Sequence, residues 1–140
     1  MKDTELKRMR DEALYQVYLQ GLEEGAFVSM QEAAEYVSSH EAPQFFIEAK
    51  QVSLYIGMIE NHISLIFLNS ASWRRVRTLY AMYLKWREEH PESQLTRERV
   101  CEILVGECAP EFYLMPESAR IIIQRMRRER RDKAIRRFDR

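Results

Sequence analysis

The sequence predicts an all-α protein of about six helices, built as two pseudo-symmetric three-helix repeats, helix-turn-helix-like, packed as one domain. Three observations predict it. Apolar residues recur three and four apart along most of the chain, and no period-2 alternation survives. Gly and Pro number four each in 140 residues, few for an all-β protein with many tight turns. The third observation is that the chain repeats itself. "LYQVYL" at 14–19 returns as "LYAMYL" at 79–84, and at the same offset of 65 Arg10 returns as Arg75 and Glu23–Glu24 as Glu88–Glu89. Ala42, Pro43 and Phe45 then return 67 residues later as Ala109, Pro110 and Phe112, Phe46 as Tyr113, and Ile56 as Ile123. A two-residue insertion near "HPESQL" accounts for the change of offset. The repeats span 1–68 and 69–128, and a basic tail occupies 129–140.

In the first repeat, Leu6, Met9, Ala13, Val17 and Leu22 follow helical spacing, so a helix is expected from about residue 4 to 24, ended by Gly25. "SMQE" at 29–32 is a capping box that starts a second helix with Ala33, Tyr36 and Val37 inward. Pro43 disfavours helix at Ala42 and stops it. A third helix starts near Glu48; Val52, Ile56, Ile59, Ile63 and Ile66 extend its stripe to about residue 68, at the junction of the repeats. In the second repeat, Trp73, Val76, Tyr80 and Tyr83 mark a helix over about 71–89. Thr96 caps the next, with Val100, Ile103 and Leu104 inward, and Pro116 opens the last, which carries Ala119, Ile122, Ile123 and Met126. Neither repeat has much core alone; together they can bury a shared one.

Composition narrows the function. Hydrophobic residues make up 46% and aromatics 11%, enough for a packed core. No apolar run reaches the roughly 20 residues of a membrane helix. The N-terminal "MKDTELKRMRDE" has no signal-peptide core, so a cytoplasmic location is expected. Cys101 and Cys108 lie seven apart, about 10 Å along a helix and too far for a disulfide, and read as reduced apolar filler. His40, His62 and His90 are scattered, and no nucleophile–base pattern or Gly-rich phosphate loop accompanies them. No enzyme, metal or cofactor is expected.

The charge distribution is the first functional clue. Residues 1–119 carry 12 Lys or Arg against 19 Asp or Glu, and residues 120–140 carry 10 against 3. An acidic body thus ends in a basic segment. Arginine offers paired hydrogen bonds to guanine and charge-assisted bonds to phosphate. The expected nucleic-acid contacts are Arg120, Gln124, Arg125, Arg127 and Arg128, on the third helix of the second repeat, and Arg131 in the basic tail. The corresponding helix of the first repeat offers Glu48, Lys50, Gln51, Ser53 and Gly57 and is nearly neutral. DNA is placed first as partner. The alternative is a non-enzymatic helical adaptor or assembly protein whose basic segment grips an acidic protein, or an acidic patch on a second copy of the chain in a homodimer. Tyr15, Tyr18, Tyr80, Tyr83, Trp73 and Trp86 read as core in preference to a base-stacking platform.

"APQFF" and "APEFYLMPESARIIIQRM" resemble a group of small bacterial proteins with paired modules worded "PAPxFY…PExAxxII", found among phage and mobile-element genes. The resemblance covers roughly residues 6–128 and rests on Ala109, Pro110, Phe112, Tyr113, Pro116, Glu117, Ala119, Ile122 and Ile123. In the first repeat Ala49 and Lys50 replace the Pro–Glu pair, and Gly57 stands where the second has Gln124. The resemblance implies the repeat and a mobile-element setting.

Overall fold

The computed structural model describes residues 3–138, which form six helices: α1 (Asp3–Glu24), α2 (Met30–Ser38), α3 (Ala49–Glu60), α4 (Ser70–Glu89), α5 (Arg97–Val105) and α6 (Pro116–Phe138). Local chemistry sets most of the boundaries. The Ser29 hydroxyl accepts from the Glu32 amide at 3.1 Å, and the Glu32 carboxylate accepts from the Val28 amide at 2.9 Å. Asn69 caps α4 by accepting from the Ser72 amide at 2.8 Å, and Thr96 caps α5 by accepting from the Arg99 amide at 3.2 Å. Each such cap satisfies a first-turn donor that has no partner within its helix.

Two expected stripes are displaced. The buried face of α1 is Leu6, Asp11, Leu14, Tyr15, Tyr18 and Gly21, while Leu22 is 49% exposed. The covering helices α2 and α6 meet α1 on its tyrosine side, so Met9, Ala13 and Val17 are only partly buried. The third helix ends at Glu60 rather than near 68. His62 takes φ +59°, and the Ile63 and His62 amides fold back on the carbonyls of Met58 (2.8 Å) and Ile59 (3.1 Å). That is a Schellman-type helix end with histidine in the position glycine usually holds. Ile63 and Ile66 are therefore exposed instead of extending the stripe. Trp73 and Ile103, expected inward, are 38% and 45% exposed, while Leu79 and Cys101 are fully buried.

The packing order is not the chain order. α1 packs on α2 and α4 on α5, but α3 lies against α5 and α4, and α6 lies against α2 and α1. The consecutive pairs α2–α3 and α5–α6, which the sequence reads as helix-turn-helix-like units, do not pack on each other. Each half passes its third helix to the first two helices of the other.

The two passing segments meet. Ala42 and Ala109 exchange backbone hydrogen bonds of 2.9 Å in both directions. The Phe45 amide donates to Val105 at 3.1 Å, and the Phe112 amide donates to Ser38 at 3.3 Å. Phe45 stacks on Tyr113 and Phe46 on Phe112, with ring centres 5.9 and 6.2 Å apart. Phe46 and Tyr113 both adopt left-handed backbone, φ +53° and +56°. That conformation is costly for an aromatic residue and persists where the surroundings over-determine it. Here the stacked rings and reciprocal hydrogen bonds do so. Arg75 reaches in from α4, donating to the carbonyls of Phe45 and Phe46 at 3.4 Å each.

Candidate functional site

Pro116 supplies a first-turn residue for α6 that needs no N–H partner, and Glu117 and Arg136–Arg137 match the two ends of the helix dipole. Ala119, Ile122, Ile123 and Met126 form its buried stripe at spacings of three and four. Beyond Met126 the helix continues for more than three turns, with nearly every side chain exposed.

The first helix holds one flank of α6. The Arg125 guanidinium donates to Asp11 at 2.5 Å, and Arg10 grips the other Asp11 oxygen at 2.8 and 3.0 Å. Asp11 is a buried carboxylate, so two cations compensate its lost hydration. One turn on, Arg130 donates to Glu12 at 2.6 Å and lies over the Tyr15 ring, 4.6 Å from its centre. Burial pushes the Glu12 carboxyl up, but hydrogen bonds from Arg130 and Gln16 and the charges of Arg130 and Lys133 outweigh it, leaving Glu12 below its ordinary value.

On the adjoining flank, Gln124, Arg127, Arg128 and Arg131 line an open groove of about 490 Å³ with Tyr15 at its wall. Among the described residues no carboxylate lines it. Among the same residues Arg127 and Arg128 make no ion pair, and Arg131 has a loose one of 4.0 Å with its neighbour Asp132. The structure thus brings together four of the six residues expected from sequence. Arg120 stands apart near the start of α6, bonded to Glu117. Arg125 faces α1, bound to Asp11 and, at 3.6 Å, to Glu129. Sequence reasoning did not anticipate Asp11, Glu12 and Tyr15 as the support of this face. Their only signal was an acidic pair, Asp11–Glu12, in the helix that the repeat places before α2.

Other chemistry is thin. His40 and His90 bond to the carbonyls of Glu41 and Trp86 at 2.7 and 2.9 Å, and the three histidines share no site. Among the described residues no group of three or more His, Cys, Asp or Glu is placed to hold a metal ion. Both cysteines are free; burial pushes the Cys101 thiol up to about 11, so it is unreactive at neutral pH. Among the described residues no helix is long and apolar enough to cross a membrane.

The described residues thus form six helices, with arginines facing outward along α6. Compared with protein-family models, curated proteins and solved structures, the chain matches none.

Proposed function

We propose that this chain binds nucleic acid, DNA in the first place, through the outward face of α6. The observation that carries the reading is the row Gln124, Arg127, Arg128 and Arg131 around a groove whose described lining holds no carboxylate. Guanidinium groups one turn apart on a helix fixed at its flank are pre-ordered donors for successive phosphates. Release of counterions on such contact supplies most of the sequence-independent affinity. Gln124 has the two-headed amide that reads adenine in the major groove. The exposed half of α6 is a single helix, the element that groove accommodates. Arg120 lies on the approach and Arg125 acts from behind, orienting the helix through Asp11.

In this reading the chain is two pseudo-symmetric copies of one helical unit. The paired hydrogen bonds of Phe45 and Phe112, the matching left-handed Phe46 and Tyr113, and the reciprocal Ala42–Ala109 contact support it. Only the second copy carries a basic third helix.

Fluorescence anisotropy of a random duplex across a salt series tests the proposal. Arg127→Glu with Arg128→Glu should weaken binding more than about tenfold and flatten the salt slope by about 0.9 for each phosphate no longer neutralised. Unchanged affinity in that variant, or no binding by the intact chain at low salt, would sink it.

A further inference from the structure

We infer that two copies of this chain exchange halves, α1–α3 of one docking on α4–α6 of the other, with the 61–69 connector opened between them. The inference stands apart from the nucleic-acid reading. Its first support is the interface between the halves. α6 sits on α1 and α2, α3 sits on α4 and α5, and the Ala42–Ala109 and phenylalanine contacts join them. Every one of these contacts forms equally well with a second copy. Only the connector distinguishes the closed chain from the exchanged pair.

The second support is the connector itself. His62 holds a left-handed conformation that side chains other than glycine adopt at a cost. The end of α1 uses the same turn with Gly25 at φ +68°, so the chain meets this geometry with its preferred residue at one helix end and not at the other. Ile66 is 91% exposed, and Ile63 and Phe67 are more than half exposed. With Ile59, Leu68 and Trp73, the first two line an open apolar groove of about 480 Å³ beside the connector. Opening the connector lets the helical stripe of Val52, Ile56, Ile59, Ile63 and Ile66 run on, as its spacing favours. Two such connectors crossing place Ile63 and Ile66 against their counterparts instead of water. The occupant of this surface is therefore the same surface of a second copy.

The closed and exchanged forms interconvert only by separating the whole core, so the test begins with refolding of the full chain from denaturant at rising concentration. Size-exclusion chromatography with light scattering should show a dimer whose share grows with concentration. His62→Val should raise the dimerisation constant about tenfold for each chain relieved of the left-handed turn, and His62→Gly should lower it comparably. Deleting residues 64–67 should make the dimer obligatory, because the closed turn can no longer form. Exchange is read directly from Ala42→Cys with Ala109→Cys in a Cys108→Ser background. After oxidation of the isolated dimer, a chain-to-chain disulfide gives a covalent dimer on a non-reducing gel. A monomer band there would mean side-by-side association and overturn the inference. So would a deletion variant that stays folded and monomeric, or a His62→Val protein without dimer at any concentration.

Discussion

Helices α3 and α6 each lie against two helices of the other half, α3 on α4 and α5, α6 on α1 and α2, yet they end in opposite ways. Inside, positions 67 apart keep small or apolar side chains: Val52 and Ala119, Tyr55 and Ile122, Ile56 and Ile123. Outside, they share almost nothing. Gly57 admits Arg97, whose guanidinium bonds Ser53 at 3.0 Å, whereas Gln124 at the matching place faces the arginine groove. Where α3 stops at Asn61 and His62, α6 carries Arg128 and runs on to Phe138. The inner face of such a helix answers to packing, which tolerates little change, and its outer face is left to carry whatever chemistry the surface needs.

The likeness at the crossing segments can be broken most sharply. Phe45→Ala and Phe112→Ala remove stacked, buried rings in matching environments and should each cost about 3–5 kcal/mol in urea unfolding. A gap between them much larger than about 1 kcal/mol would mean that the two crossings are not energetically alike.

The anchors of the two third helices come next. Asp11→Ala leaves Arg10 and Arg125 without their shared carboxylate and should cost about 1–3 kcal/mol. Glu60→Ala removes only an exposed 3.8 Å pair with Arg97 and should cost less than about 1 kcal/mol. Equal losses would contradict the view that a buried carboxylate ties down α6 more firmly than the exposed Arg97–Glu60 pair ties down α3.

Gly57→Ala sharpens the outer-face contrast. The added methyl would meet the Arg97 guanidinium at 2.8 Å, so the flexible arginine must swing away and give up Ser53. The gain in helix propensity, about 1 kcal/mol, offsets that loss, and thermal unfolding should move by no more than a few degrees. A large destabilisation would make Arg97 a structural bolt.

The smallest effect concerns pH. Glu12 titrates below its ordinary value of 4.5 in the folded chain, so its contact with Arg130 contributes stability above that value and loses it as pH falls through the lower folded value. Glu12 is half exposed, so the contribution should stay below about 0.5 kcal/mol after solvent screening. Glu12→Gln should flatten the acid limb of the unfolding curve by that amount, with no counterpart on α3.

Much of this molecule was legible in sequence, for identifiable reasons. Ser29, Thr96 and Pro116 announce helix starts through backbone donors that each helix start must satisfy. The stripe Ala119, Ile122, Ile123 and Met126 is buried as its spacing predicts. The row from Gln124 to Arg131 came together because one helix carries all of it. The partners of each third helix were not legible. Apolar spacing says which face is covered and is silent on which helix covers it, so Tyr15 and Tyr18 gave no hint that α6 lies across them. The end of α3 was missed because Ile63 and Ile66 keep helical period while His62 turns the chain through hydrogen bonds that depend on backbone alone.

The passing of third helices also sets a timetable for synthesis. α1 and α2 are complete by Ser38, but the stripe of α6 that covers them lies about 80 residues later, several seconds at ordinary rates of translation. Through that interval α1 and α2 have each other, and Tyr18 has Phe27, but the Leu14, Tyr18 and Val37 surface lacks its cover from α6. The first half therefore completes its native cover only after α6 has been made, long after its own helices are in place.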